Sequence, residues 1–142
     1  MGKKFFGSYL RNLDAKGRLL LPSSLVKAEG LESLYVLKGF DGCLSVYLPE
    51  AFEELMEELS HLDQHDPSQR AYIRIATSSM RELKFDSHGR ILLPSDLLEE
   101  YGLGKEVMVN GVLDHLEIWD KKAYASYTLR NGAGYDSPLR RS

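Results

Sequence analysis

The sequence holds a single cysteine, Cys43. That excludes an internal disulfide and a cysteine-built metal cluster. No apolar run approaches the roughly 20 residues that a membrane helix needs. The start, Met-Gly-Lys-Lys-Phe-Phe-Gly, is basic but has no apolar stretch long enough for a secretory signal. Charge of one sign is also missing: 18 basic residues against 21 acidic ones leave a net −3. The sum by itself argues weakly against a nucleic-acid partner. Paired carboxylates, a phosphate cradle and a nucleophile elbow are lacking too, so nothing points to an enzyme. These absences lead us to expect a cytoplasmic protein with no cofactor, no small-molecule substrate and no membrane partner.

Charge is unevenly spread. The first 27 residues carry Lys3, Lys4, Arg11, Lys16, Arg18 and Lys27 against one acid, Asp14, while Glu50, Glu53, Glu54, Glu57, Glu58, Asp63 and Asp66 crowd a later stretch. One surface can therefore be basic while another is acidic.

The chain is organised by a repeat. Asp14-Ala-Lys-Gly-Arg-Leu-Leu-Leu-Pro22 returns 72 residues later as Asp86-Ser-His-Gly-Arg-Ile-Leu-Leu-Pro94. Over residues 14–26 that offset matches 8 of 13 positions, where unrelated sequence matches roughly one. It continues without a gap through Gly30/Gly102, Gly39/Gly111, Leu44/Leu116 and Phe52/Tyr124. We read a first module over residues 5–66, a linking helix over 67–80, a second module over 81–130 and a loose tail over 131–142. Modules of about 70 residues are near the lower limit for an independent core, so packing of the two together is expected.

Each copy predicts the same local plan. An extended run, 5–10 or 82–85, leads into a turn whose glycine, Gly17 or Gly89, suits a positive φ. A short apolar run, 18–21 or 90–93, then reads as a buried strand stopped by proline. Ser23 or Ser24 can cap a short helix to about Ala28, and Asp96-Leu-Leu-Glu99 can form a capping box. Paired strands follow at 34–37 with 44–48 and at 107–109 with 116–119, Gly111 lying in the second loop. Pro49 opens a helix with Phe52, Leu55, Met56 and Leu59 on one face. Pro67 opens another to Ser79, and a last helix spans about 122–130.

These motifs resemble the MraZ family, within the wider AbrB/SpoVT swapped-hairpin superfamily. The resemblance rests on Leu13-Asp14-Ala-Lys16-Gly17-Arg18-Leu-Leu-Leu-Pro22, on Phe85-Asp86-Ser-His88-Gly89-Arg90-Ile-Leu-Leu-Pro94, and on Phe6-Gly7. It covers about Phe5 to Arg130. It implies an α+β fold in which two tandem AbrB-like swapped-hairpin modules form a pseudo-dimeric β-barrel flanked by helices. It also implies a bacterial transcriptional regulator that binds short G-rich direct repeats in double-stranded DNA upstream of its own division and cell-wall operon. A homo-oligomeric ring in the cytoplasm, associated with the nucleoid, is the form it suggests.

The residues have their own chemistry. Arg18 and Arg90 offer planar, permanently charged forks suited to phosphate or to the O6/N7 edge of guanine. Lys16 adds charge to the first loop; His88 stands at that position in the second and is mostly neutral at pH 7. The first loop should therefore contribute more. Arg11, Lys3 and Lys4 are further candidates for DNA contact. Asp14 and Asp86 cannot favour phosphate, so they orient the loops, with Gly17 and Gly89 allowing close backbone approach. A bland alternative makes each Asp–Arg pair a turn-shaping ion pair, although an exposed pair adds only about 0–1 kcal/mol. At the level of the whole protein, the alternative is an oligomeric scaffold without sequence-specific DNA activity. His61-x-x-x-His65 with Asp63 and Asp66 has too few donors for a convincing metal site, so no metal is expected.

Overall fold

A computed structural model describes residues 3–136 of the chain. The elements in chain order are β1 (Ser8–Asn12), β2 (Arg18–Leu19), β3 (Ser33–Lys38), β4 (Leu44–Tyr47), α1 (Pro49–Ser60), α2 (Pro67–Ser79), β5 (Arg81–Lys84), β6 (Ile91–Leu92), α3 (Ser95–Glu100), β7 (Glu106–Val112), β8 (His115–Asp120) and α4 (Lys121–Asp136). The fold is α+β, and every strand pairing is antiparallel.

The two copies exchange strands. The main sheet has the order β1-β7-β8-β4-β3-β5. First-copy β1 therefore lies on second-copy β7, and second-copy β5 lies on first-copy β3. Strands β2 and β6 form a separate two-stranded ribbon, with Arg18 opposite Leu92 and Leu19 opposite Ile91, and Ile91 also bridges Phe85. The barrel implied by the resemblance is not closed. The sheet is open, with β1 and β5 at its edges, and the β2–β6 ribbon stands apart. Pro22 and Pro94 follow these two-residue strands and cannot donate to a ladder, which limits their extension.

One core serves both copies. Leu19, Leu34, Leu44 and Val46 from the first and Ile91, Leu93, Val107, Leu116 and Ile118 from the second are all fully buried in one cluster. Burying a side chain of this size contributes about 1.5–3 kcal/mol, so neither copy's hydrophobic strands are satisfied alone. Helices α1 and α2 pack on β3, where the Phe52 and Tyr35 rings stack 4.0 Å apart. Helix α4 rests on β8 through Trp119, whose ring lies 5.2 Å from Tyr124 and 4.9 Å from Tyr127.

Several local expectations change. Residues 23–25 form a turn and 26–28 are irregular, in place of the expected helix. Both copies start alike, with the Leu25 and Val26 N–H groups donating to the Pro22 carbonyl and those of Leu97 and Leu98 to that of Pro94. Only the second continues. The first has β-branched Val26 in place of Leu98, and neutral Ser24 in place of Asp96, the acidic residue in the first turn of α3; both are poorer choices for a short helix. The Asp96–Glu99 capping box does not form: α3 begins at Ser95 without a side-chain cap, and Asp96 instead makes a two-pronged ion pair with Arg81. Gly111 lies within β7 opposite Leu116, and the turn falls at Leu113–Asp114. Its lack of a side chain serves close approach, because a Cβ there would overlap the Phe6 backbone nitrogen. In α1, Leu59 is buried while Met56 is exposed. Finally, α4 runs to Asp136, so residues 131–136 of the expected loose tail are helical; residues 137–142 lie outside the described residues.

Candidate nucleic-acid interface

Each repeated loop is built from bonds that its own sequence dictates. In the first, the Lys16 and Arg18 N–H groups donate to Asp14 Oδ1 at 2.9 and 2.8 Å. The Gly17 N–H donates to the Asp14 carbonyl at 3.0 Å, and the Asp14 N–H to the Arg18 carbonyl at 3.0 Å. In the second, the His88 and Arg90 N–H groups donate to Asp86 Oδ1, both at 2.9 Å. An aspartate that closes its own turn in this way frees Oδ2 for its arginine. The Arg18 Nε then meets Asp14 Oδ2 at 2.5 Å, and the Arg90 Nε meets Asp86 Oδ2 at 3.0 Å. Gly17 and Gly89 sit at φ 87° and 78°, the left-handed region in which a Cβ costs about 1–2 kcal/mol.

The carboxylates are held ionised. Asp14 is lowered to about 2, first by the Arg18 N–H and then by the Arg18 side chain and Lys16 N–H, against the opposing effect of desolvation. Asp86 is lowered by the same set of donors, led by the Arg90 N–H. Both loops therefore present a fixed carboxylate–guanidinium unit at neutral pH.

The ribbon gives these units a common face. Residues 18–21 and 90–93 are not wholly buried strands. Leu19, Leu21, Ile91 and Leu93 point into the core, while Leu20 and Leu92 are 56% and 51% exposed. Strand alternation therefore puts Arg18 and Leu20 on the outer face, with Arg90 and Leu92 beside them on the neighbouring strand. The sequence carries no alternation here, since Leu19-Leu20-Leu21 and Ile91-Leu92-Leu93 are apolar throughout, so the outward face of Leu20 and Leu92 was not legible from it.

Exchange brings basic residues from one copy to the loop of the other. Arg11 and Lys27 line an open cavity of about 800 Å³ with Asp86, Ser87, His88 and Gly89. Lys105 borders the first loop in a cleft with Asp14, Ala15 and Gly17, and its carbonyl accepts the Leu13 N–H at 2.8 Å. Lys27 and Lys105 have no counterpart in the repeat that singles them out. Lys3 and Lys4 are placed elsewhere, in a cleft beside Glu50, Glu54, Glu58 and Asp114. Lys16 and His88 are both exposed.

The rival residues have structural partners. Asp66 caps α2 by accepting the Gln69 N–H at 2.9 Å, and Asp63 accepts the His65 N–H at 2.9 Å. Cys43 is fully buried and its thiol is pushed up to about 12 by burial, helped by the nearby Glu117 carboxylate.

Together these features define a duplicated, strand-exchanged α+β protein that presents paired aspartate–arginine turns on an exposed ribbon. Comparison with known proteins agrees. The family model described as "MraZ protein, putative antitoxin-like" matches residues 5–75 and 78–137. The protein named Transcriptional regulator MraZ from Acetivibrio thermocellus is 39% identical over 125 residues, covering 87% of this chain and 86% of that one. Its namesake from Finegoldia magna is 36% identical over 132 residues, covering 93% and 92%. That from Desulfitobacterium hafniense is 38% identical over 133 residues, covering 94% and 92%. The chain belongs to the MraZ family.

Proposed function

We propose that this protein is a sequence-specific DNA-binding regulator of transcription, and that the outer face of the β2–β6 ribbon is its reading surface. The observation that carries this reading is the pair of arginines, Arg18 and Arg90, partly exposed on one face and each held from behind by an ionised aspartate. A guanidinium fixed through Nε keeps its terminal nitrogens for a phosphate or a guanine edge. Leu20 and Leu92 beside them suit thymine methyls or sugar faces. Arg11, Lys27, Lys105 and Lys16 supply phosphate contacts around the loops, with His88 a weaker contributor. Lys3 and Lys4, set against the acids of α1, contribute least. The names of the relatives support a role in transcription, and the strand exchange supports the swapped-hairpin class of DNA-binding fold.

One or two loops make few phosphate contacts, so affinity per chain is weak and needs avidity. A homo-oligomeric ring on direct repeats upstream of its own operon, in the nucleoid, meets that need. Fluorescence anisotropy at one fixed salt concentration tests the reading, with upstream DNA of the protein's own gene against scrambled DNA. Arg18→Ala is expected to weaken specific binding by about 5- to 150-fold, the cost of one bidentate base contact, and Arg90→Ala by less. Binding indifferent to sequence and to Arg18 would overturn the proposal.

A further inference from the structure

The two loops are alike in sequence but not in their contacts. Asp14 Oδ2 receives the Arg18 Nε at 2.5 Å and also faces the Arg90 Nη1 at 3.7 Å, across the boundary between the copies. Among the described residues, Asp86 pairs with Arg90 alone. Seating explains the difference. The Leu93 N–H donates to the Gly17 carbonyl at 2.9 Å, and a Cβ on Gly17 would lie 2.8 Å from the Leu93 carbonyl oxygen and 3.1 Å from Leu98 Cδ1. The first loop is thus pressed onto the second copy, where α3 begins. A Cβ on Gly89 would meet only Ala28 Cβ at 3.4 Å, because residues 23–28 form no matching helix and leave a cavity there.

We infer that Asp14 is the positioning residue for both arginines, joining the two loops into one reading centre, whereas Asp86 positions only Arg90. This rests on the DNA-reading role proposed above. The chemistry divides the labour. Arg18 is held through Nε and keeps both terminal nitrogens for a bidentate ligand. Arg90 is held at Nε by Asp86 and shares its Nη1 with Asp14, so less of its fork is open. Arg18 is the base reader, and Arg90 sets the spacing and adds charge.

The test compares Asp14→Asn with Asp86→Asn. Asparagine keeps an oxygen for the turn N–H groups and removes the charge that holds the arginine. In DNA-free protein, the arginine Nε–H resonances report each guanidinium. Asp14→Asn is expected to shift both Arg18 and Arg90, and Asp86→Asn only Arg90. An unmoved Arg90 in Asp14→Asn would overturn the inference without reference to DNA. The second arm measures preference for upstream over scrambled DNA. Loss of a negative charge by itself tightens binding to any DNA. A positioning role instead lowers the preference, by roughly tenfold for Asp14→Asn and threefold for Asp86→Asn, fractions of a bidentate contact. Equal tightening on both DNAs in both variants would also overturn it. If wild type shows no preference, the DNA reading fails while the resonances still decide whether Asp14 reaches Arg90.

Discussion

Gly17 and Gly89 occupy the same place in the repeat yet answer to different neighbours. Both hold positive φ, so alanine strains either by about 1–2 kcal/mol. Gly17→Ala adds a clash with the Leu93 carbonyl oxygen at 2.8 Å, which is backbone and cannot easily retreat. We expect it to cost about 3 kcal/mol or more, and Gly89→Ala about 1–2 kcal/mol, in urea unfolding at neutral pH. Equal losses would mean that the seating of the first loop has no energetic weight. Asp14 adds a pH signature. Its folded value lies near 2, below the ordinary 3.8. A depressed carboxylate contributes stability that is fully present above the unfolded value and lost as pH falls through the folded one. Wild type should therefore lose its advantage over Asp14→Asn between about pH 4 and pH 2, read as converging urea midpoints. The turn itself was legible in the sequence, since every bond from Asp14 or Asp86 to its own loop spans at most four residues. The reach of Asp14 to Arg90 was not, because it joins residues 76 apart.

Among the elements, the β7–β8 hairpin carries a second titrating group. His115 stacks on Tyr47 with centroids 5.0 Å apart, its Nδ1 lies 2.8 Å from Asp114 Oδ1, and its Nε2 lies 3.5 Å from Glu117 Oε2. Burial pulls its pKa down, but the bonds to Glu117 and Asp114 outweigh that and leave it above the ordinary 6.5. A raised histidine contributes stability that is complete below the unfolded value and lost as pH rises through the folded one. The hairpin should loosen as pH climbs above about 6.5, and His115→Gln should abolish that slope; amide hydrogen exchange in β7 and β8 measures it. An unchanged slope in His115→Gln would assign it to another group. Helix existence was well signalled: Pro49 and Pro67 open α1 and α2 as first-turn prolines should. Helices with little else to mark them were harder. The same Pro-Ser opening yields α3 in one copy and turns in the other, since a six-residue helix depends on what it packs against.

At the scale of the molecule, exchange makes the copies interdependent. β1 has its partner in β7 and β5 has its partner in β3, and the buried residues form one cluster. The whole chain should unfold in a single calorimetric transition, with calorimetric and van't Hoff enthalpies equal. Residues 5–66 expressed alone should show little stable sheet by circular dichroism, because β1 and β2 lack their partners and the β3–β4 hairpin lacks both its neighbours, β5 and β8. Two separate transitions, or a folded 5–66 fragment, would instead make each module autonomous.

By itself the sequence determined the duplication, the two aspartate-closed turns, the arginines they hold and the prolines that bound strands and helices. These follow from bonds and backbone preferences within a few residues. Only the tertiary structure decided which copy's strand pairs with which, that the sheet stays open, and that Leu20 and Leu92 face outward. It likewise decided that Lys105 and the pair Arg11 and Lys27 stand beside the opposite copy's loop. The reason is physical: near-identical strands offer near-identical local ladders, so their pairing is settled by the total apolar surface that each arrangement buries.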